Sequence, residues 1–491
     1  MSLSVNNVLL TFVYPLKKSI KNNDMQCIND TLVPTGFAMA CMLVLGLLSG
    51  CDSHHNPDQS SASSSTQPSS PITPPPLSVM AQIGQKLFFD PSLSASGKLS
   101  CASCHSPEHA FGPANGLTAQ FGGESLDRQG ARAVPNLTYS RETPNFTIGI
   151  DDDSGTEQRV PPSPVHGNIQ AVLGAVPAPN PLKLAKTPTT QAKSANSAPN
   201  LSAMIPQGGF FWDGRANTLQ GQALGPLLNP LEMANPSPQA LIKKIKKLSY
   251  VKALAELAGP SAMTNDNLLL SEALFAISRY QTESPSFAAY TSKYDFYLQG
   301  KTQLSAAEKH GLDLFNAPDK GNCAACHLDK PSAEGRPPLF TDYQYEALGV
   351  PRNMTIKANQ NTHYYDLGIC GPTRQDDYAK QPTNCGLFKT PSLRNVAMRQ
   401  TFFHNGIYHN LTDVLHFYVN RDIHPELVYP KLANGHIDKF NDLPQKYQQN
   451  IDFTDAPFNR KIGDTAVLND SEIQDVVAFL KTLNDGYQLP H

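Results

Sequence analysis

The sequence predicts a mainly α-helical protein built from two similar halves in tandem. A pentapeptide of the form Cys-x-x-Cys-His occurs twice, ending at His105 and at His327. Each copy follows a segment with apolar residues at helical spacing, and a second apolar helix is predicted at the end of each half. The chain of 491 residues is long enough for two or three domains with their own cores. Its net charge of −3 and its lack of long basic runs argue against nucleic acid as a partner.

The two pentapeptides are typical of covalent haem attachment. Cys101 and Cys104 are spaced so that their thiols can add to the two vinyl groups of one haem, and His105 then lies beneath the iron as an axial ligand. A zinc knuckle or a redox dithiol would need further cysteines or a βαβ context that the sequence does not show. We therefore expect two c-type haems, one in each half. The corresponding residues of the second half are Cys323, Cys326 and His327.

An amphipathic helix is predicted before each haem motif, over residues 79–89 and 304–315. In both helices a glycine, Gly84 or Gly311, is followed three and four residues later by large apolar side chains. A residue without a side chain at this point lets another helix cross at close range.

Each half is also predicted to end in an apolar helix, over residues 268–280 and 473–483. An N-terminal helix, a haem motif and a C-terminal helix, given twice, resemble two tandem cytochrome c folds, each with one covalently bound haem. We place the first domain at residues 78–290 and the second at residues 291–491. Residues 140–200, rich in Pro, Ala and Lys, are predicted to form a surface excursion from the first domain.

The N-terminal region predicts export and a lipid anchor. An apolar run too short to span a bilayer leads to Leu-Ser-Gly-Cys51, which resembles the lipobox of bacterial lipoproteins. Residues 1–50 would then be a signal peptide, with an internal start codon or an uncleaved anchor as alternatives. Residues 51–77, rich in Ser and Pro, are predicted to be a disordered tether. Asp52 resembles the signal that keeps some lipoproteins on the inner membrane, facing the periplasm.

The cysteine count agrees with an oxidising compartment. Of nine cysteines, four belong to the haem motifs, two lie in the expected signal peptide and one is the lipid site. The remaining two, Cys370 and Cys385, can close a short loop as a disulfide.

A third group of motifs makes the family resemblance specific. The segment Phe210–Ala216, Phe-Phe-Trp-Asp-Gly-Arg-Ala, contains the only tryptophan, Trp212, and Thr390–Asn395 reads Thr-Pro-Ser-Leu-Arg-Asn. Together with the haem motifs, the chain from about residue 79 to 485, apart from the excursion, resembles the bacterial dihaem cytochrome c peroxidase superfamily, which includes the methylamine-utilisation enzyme MauG. The family's glutamine, proline and glutamate positions fall on Gln222, Pro226 and Glu232.

The resemblance implies roles for these residues. The first haem would be the peroxidatic one, with Gln222 and Glu232 on its distal side and Pro226 shaping the pocket. Cleavage of peroxide needs a base and then an acid, which one carboxylate can be in turn, while an amide orients the peroxide. Trp212 would lie between the haems and pass electrons. The alternatives are a surface glutamate and a tryptophan that only fills the core.

The axial ligands opposite the two histidines divide the family. His109 is too close to His105 to reach across the first haem, and the next histidine is His166, so we expect an open first haem. Alignment on the family brings Tyr418 to the ligand position of the second haem, with Met398 as the competing ligand. A phenolate stabilises ferric iron, whereas a thioether raises the potential.

Two positions depart from the family. Gly321 stands where MauG has a tryptophan that passes electrons to a protein substrate. The family's interhaem calcium ion would require Ser197 in place of an asparagine, with carbonyls near Arg399 and Thr401, so calcium remains open. Asp151–Asp153 could also hold calcium, but a solvated acidic loop is the preferred interpretation.

The sequence thus predicts a periplasmic, lipid-anchored dihaem peroxidase that reduces hydrogen peroxide with electrons from a small cytochrome c or a cupredoxin. The first alternative is a MauG-like enzyme that uses peroxide to oxidise a partner protein. The second is a dihaem electron carrier without catalysis.

Overall fold

The computed structural model describes residues 75–150, 204–332 and 334–490. Helices make up most of the regular secondary structure of these residues, and the strands form only three short antiparallel pairs, so the predicted mainly α class is confirmed. The α-helices are α1 (Val79–Phe89), α2 (Cys101–Cys104), α3 (Leu219–Leu228), α4 (Pro238–Ile245), α5 (Val251–Ala258), α6 (Asp266–Glu283), α7 (Lys293–Leu298), α8 (Ala306–Asn316), α9 (Leu411–Asn420) and α10 (Asp470–Lys481). The strands are β1 (Phe121–Gly122), β2 (Arg128–Gln129), β3 (Thr147–Ile150), β4 (Met204–Gln207), β5 (Tyr345–Glu346) and β6 (Phe388–Lys389).

Several predictions from the sequence concern residues outside this description. They are the signal peptide, Cys51, the tether up to residue 74, Asp151–Asp153 and Ser197. Within the three described ranges, no helix combines the length and the apolar character that crossing a bilayer requires.

Two large hydrophobic cores follow each other along the chain. The first extends from Ile83 to Phe287 and is built from α1 and α3–α6. The second extends from Tyr294 to Leu483 and is built mainly from α7–α10. The domain boundary predicted at residue 290 lies between these two cores.

Each core contains one close helix crossing, α1 against α6 and α8 against α10. At Gly84 a Cβ atom would lie 1.8 Å from the carbonyl oxygen of Ala276 in α6. At Gly311 it would lie 1.9 Å from the carbonyl oxygen of Asp475 in α10. Both distances are far below contact distance, so glycine is what lets the backbones meet, as the sequence predicts.

Side-chain caps set where the main helices begin. Ser305 and Glu308 form a capping box at α8, and Asn469 and Glu472 form one at α10. The α6 helix begins before the predicted residue 268, because the side chain of Asn265 caps it by accepting from the Leu268 backbone N–H.

The excursion begins later than residue 140. Strands β3 and β4 pair antiparallel, with Thr147 opposite Gln207 and Ile150 opposite Met204. Residues 140–150 therefore belong to the folded body, and the boundary predicted at residue 140 is wrong. Strand β3, which contains β-branched residues, pairs with a strand more than fifty residues further along the chain. Local sequence patterns do not reveal a partner at that distance.

Candidate active site

The first Cys-x-x-Cys-His motif spans one helical turn and the residue after it. Helix α2 begins at Cys101 and ends at Cys104, which puts the two thiols three residues apart on the same helix face. The Nδ1 atom of His105 lies 2.9 Å from the carbonyl oxygen of Phe111. Because a carbonyl can only accept, Nδ1 carries the proton and Nε2 keeps its lone pair for a metal.

The second motif repeats this arrangement with a different local backbone conformation. Cys323 and its neighbours form a 3-10 turn, and Nδ1 of His327 lies 2.9 Å from the carbonyl oxygen of Phe340. Burial lowers the pKa of both His105 and His327 to about 4. Each imidazole is therefore neutral at pH 7, which is the form that binds iron.

The four motif thiols are unlike those of a redox dithiol. None of them is disulfide-bonded, and burial raises the pKa of each, to about 11 for Cys104 and about 12 for Cys323. Redox-active dithiols have lowered pKa values. No group of three or more His, Cys, Asp or Glu residues in the described part of the chain could hold a metal ion. Two thiols and one neutral histidine per motif fit covalent haem.

A cavity of about 210 Å³ lies against the second motif. His327, Trp212 and Tyr418 line it, whereas Met398 does not. Tyr418 projects from α9, and its ring stacks on Phe458 with 5.4 Å between the ring centroids. Burial, and then the thiols of the second motif, raise the pKa of Tyr418.

A second cavity, of about 110 Å³, shares one wall with the first. Trp212 and Arg399 line both cavities, while Gln222 lines the second. Trp212 is 8% exposed, and its Nε1 donates to the carbonyl oxygen of Ala133 at 2.9 Å. The indole therefore forms a fixed partition between the two spaces.

The predicted distal residues lie on α3 and in the turn after it. Gln222 and Pro226 are four residues apart, on one half-exposed face of α3. The side chain of Glu232 lies in the following turn and accepts from Nδ2 of Asn229 at 2.5 Å. Its backbone carbonyl accepts from the N–H of Gly123 at 2.8 Å, which ties the turn to the β1–β2 hairpin.

Glu232 lies on the side of the first motif. Burial raises its pKa above the usual 4.5, while Arg215 and Asn229 oppose that rise. The proximity is mutual, since the charge of Glu232 raises the pKa of the Cys101 and Cys104 thiols. The structure thus brings an ionisable carboxyl to the expected haem of the first half.

A buried charge cluster supports the loop that carries Trp212. Asp213 is fully buried and accepts from Arg132 and Arg215, both at 2.8 Å, and from Thr373 Oγ1 at 2.6 Å. Arg132 also pairs with Asp366 at 2.6 Å. Although burial alone would raise the pKa of Asp213, the two arginines lower it, so the carboxylate stays charged.

A disulfide joins Cys370 to Cys385 and closes the loop that completes this cluster. Thr373 lies in the loop, and Arg374 beside it donates to the backbone carbonyl of Asp213 at 2.7 Å. The disulfide therefore constrains the segment that holds Asp213 in place.

Comparison with known proteins identifies the family. A family model described as di-haem cytochrome c peroxidase matches residues 78–303. The diheme peroxidase BthA from Burkholderia thailandensis E264 is 32% identical, with a TM-score of 0.66 over 84% of this chain and 87% of that protein. This chain belongs to the di-haem cytochrome c peroxidase and MauG family. A BthA variant with one tyrosine replaced by methionine superposes equally well, with a TM-score of 0.67.

Relatives with both family names match over most of the chain. The methylamine utilization protein MauG of Paracoccus denitrificans (strain Pd 1222) is 26% identical over 422 residues, 83% of this chain and 88% of that protein. The cytochrome c551 peroxidase of Nitrosomonas europaea is 26% identical over 341 residues, 69% of this chain and 72% of that protein. Membership confirms the resemblance, makes the protein an oxidoreductase of the peroxidase type and implies haem as its cofactor.

The sequence patterns assign no role to the side chains of Arg215 and Arg399, which the structure of this di-haem family member brings to the site. Arg215 lies within the motif Phe210–Ala216, in which the sequence predicts a role only for the tryptophan. Arg399 is half-buried, and it donates from Nε to the Thr401 carbonyl at 3.3 Å and from Nη2 to the Val134 carbonyl at 3.4 Å. A carbonyl near the expected calcium position therefore already accepts from a cationic side chain.

Proposed function

We propose that the protein reduces hydrogen peroxide to water at a haem attached to Cys101 and Cys104, with two electrons from a small periplasmic donor such as a cytochrome c or a cupredoxin. The overall reaction consumes one peroxide, two protons and two electrons and yields two waters. A haem bound there would supply the redox chemistry. The observation that carries the proposal is the position of Glu232 beside the first motif, in a turn that tunes its pKa.

Glu232 handles the protons. Its carboxylate accepts a proton from one peroxide oxygen and returns it to the other, which leaves as water. Asn229 holds one oxygen of the carboxylate, so the other can face the substrate. The Gln222 amide orients the peroxide from α3, and Pro226, one turn further, shapes the same face.

His327 would bind the other haem, which would receive the donor's electrons, and Trp212 would pass them to the first half. The position of the indole in the wall between two cavities supports this path. Its hydrogen bond to Ala133 keeps the ring in one orientation. A fixed aromatic group needs little rearrangement when an electron passes.

We propose that the first haem is open at rest. His109 belongs to a 3-10 turn directly after the motif, and its Nδ1 lies 3.4 Å from Ser106 Oγ. A side chain in this turn would lie on the same side of the haem as His105 and would not reach the opposite side.

The second candidate function is oxidation of a partner protein with peroxide, as in the MauG branch. Tyr418 supports it, because the tyrosine lines the cavity of His327 and a phenolate ligand stabilises oxidised iron. Gly321 argues against the electron route of MauG, which passes through a tryptophan at this position to the protein substrate. A Cβ atom there would lie 2.8 Å from the Leu314 carbonyl oxygen, so the local backbone does not accept a tryptophan.

We further propose that the enzyme is held at the periplasmic face of the inner membrane by a lipid on Cys51. The lipobox-like sequence and Asp52 support the anchor and its membrane. The Cys370–Cys385 disulfide supports an oxidising compartment.

The first experiment is low-temperature EPR of the diferric protein before and after one equivalent of hydrogen peroxide. We expect a high-spin ferric signal at rest that peroxide removes without any reductant. Two low-spin signals, inert until one electron is added, would contradict the open first site and favour a reductively activated enzyme.

The second experiment is steady-state peroxide reduction by Glu232→Gln with reduced cytochrome c as donor. We expect a loss of about 10²–10⁴-fold, because the amide cannot carry the proton. Glu124→Gln, an exposed change on the neighbouring β1–β2 hairpin, should keep wild-type turnover. A wild-type protein without any turnover would support the non-catalytic carrier instead.

A further inference from the structure

Arg399 carries a half-buried positive charge that no carboxylate of the described residues balances. Its two hydrogen bonds go to backbone carbonyls, at 3.3 and 3.4 Å, and use only two of the five N–H donors of a guanidinium. Burial lowers its pKa to about 10. An arginine is still protonated at pH 7, so the site keeps a charge that is costly to bury unpaired.

The other arginines of the interior do not share this property. Each has a carboxylate oxygen within 3.4 Å of its guanidinium. These residues are Arg132, Arg215, Arg352, Arg374, Arg394 and Arg421. These six arginines, buried or half-buried, are each paired with a carboxylate, whereas Arg399, which lines both cavities, has no carboxylate partner among the described residues.

The position of Arg399 indicates where an anion that pairs with it would bind. The side chain lines both the cavity of His327 and the cavity that contains Gln222. It is also near enough to His105 for its charge to help lower the pKa of that imidazole. A cation that lines the cavity of His327 and lies near His105 is placed to meet anionic groups bound beside either histidine.

We propose that Arg399 is the shared counter-charge for the carboxylates of the two haems, and that it sets their potentials together. The inference rests on the haem attachment proposed above. Each haem brings two propionate carboxylates, and a guanidinium is the side chain best suited to bind carboxylates with paired hydrogen bonds. Arg399 is a positioning residue in this role and takes no part in proton transfer to peroxide.

A redox consequence follows from the sign of the charge. A nearby cation disfavours ferric iron relative to ferrous iron, because the ferric site carries one more positive charge. Removal of the cation therefore lowers the reduction potential. We expect about a tenfold change in the ferric-to-ferrous ratio at a fixed potential, which is ~59 mV for a one-electron couple.

The test is a spectroelectrochemical titration of the holoprotein for Arg399→Gln, Arg399→Lys and Arg279→Gln. Arg279→Gln removes the same charge from the surface of α6, where Arg279 pairs with Glu283. Haem content is measured on each sample as the pyridine haemochromogen. We expect Arg399→Gln to lower both potentials while Arg399→Lys and Arg279→Gln stay near wild type.

The outcomes separate the two proposals. Fewer than two haems in the wild type would contradict the proposed haem attachment as well as the role of Arg399. With two haems present, equal potentials in Arg399→Gln and Arg279→Gln would overturn the inference, as would Arg399→Lys behaving like Arg399→Gln. Haem loss from Arg399→Gln alone would support it. Wild-type potentials that follow chloride concentration at constant ionic strength would assign the anion to solvent and also overturn it.

Discussion

At the scale of single residues, the surroundings of Glu232 decide at which pH it can work. Burial is the larger influence and raises its pKa above 4.5, while the charge of Arg215 and the hydrogen bond from Asn229 lower it. A base must be deprotonated to accept the first proton. Turnover should therefore fall as the pH falls through a value above that of a free glutamate.

The first prediction uses Arg215 to change the pH below which turnover falls, which is the acid limb of the pH profile. Arg215→Gln removes the cation that holds down the pKa of Glu232, so the acid limb of the kcat/KM pH profile should move to higher pH. The measurement is a pH profile of peroxide reduction. Arg215→Lys keeps the charge and should keep the limb in place. An unmoved limb in Arg215→Gln would separate Glu232 from the proton step.

The second prediction compares Tyr418 with Met398 as ligand of the second haem. Tyr418→Met should raise the potential of that haem, because a thioether favours ferrous iron more than a phenolate does. Met398→Leu should leave both haem spectra unchanged, since Met398 does not line the cavity of His327. Spectroelectrochemistry of both variants decides, and a changed spectrum in Met398→Leu would reverse the assignment.

Sequence predicted those site features that depend on local spacing. Two thiols and a histidine within five residues define a haem motif wherever the chain runs. Arg399 could not be found in this way, because its significance depends on an absent partner. That absence becomes visible only when the neighbours in space are known.

At the scale of elements, the helix crossings determine how closely each half packs. The third prediction is that Gly84→Ala and Gly311→Ala each lower the free energy of unfolding by ~1–3 kcal/mol or more. The new methyl group would overlap a backbone carbonyl of the partner helix, which cannot turn aside. The measurement is thermal unfolding of the holoprotein.

Gly116→Ala is the control for this comparison. A Cβ atom at Gly116 would meet first the side chain of Gln400, at 3.4 Å, which is an ordinary contact. We expect its Tm to stay near that of the wild type. Equal Tm values for all three variants would show that the crossings are not close in solution.

Helix positions were predictable, while their ends depended on caps. The capping boxes at Ser305 and Asn469 are local patterns and place α8 and α10 within two or three residues. The beginning of α6 depends on Asn265 alone, which caps the helix without the second residue of a capping box that would identify it in the sequence. Strand β3 was missed because its partner is remote in sequence.

At the scale of the whole molecule, the expected anchor decides where the enzyme works. The fourth prediction is that Cys51→Ala moves the protein from the membrane fraction to the soluble periplasmic fraction, with its haems retained. Cell fractionation followed by haem staining measures this. Cys41→Ala, within the expected signal peptide, should leave the protein with the membrane. Membrane retention of Cys51→Ala would favour an uncleaved anchor.

The general architecture of two helical halves followed from the repeated pattern of helix, haem motif and helix. The contacts between remote parts of the chain could not be predicted from this pattern. Arg132, Asp213 and the pair Asp366 and Thr373 come from three distant segments, and only the folded chain shows that Arg132 joins Asp213 and Asp366 in one cluster. Buried polar networks of this kind have no sequence period.

The β3–β4 ladder brings together two points that are distant along the chain. Ile150 and Met204 are the last pair of an antiparallel ladder, so the two ends of the segment 151–203 emerge side by side. A two-residue Asn-Gly turn could join them as an ordinary hairpin. Protein engineering can use this pair of ends as an attachment point, for instance for an affinity tag or a tether to an electrode.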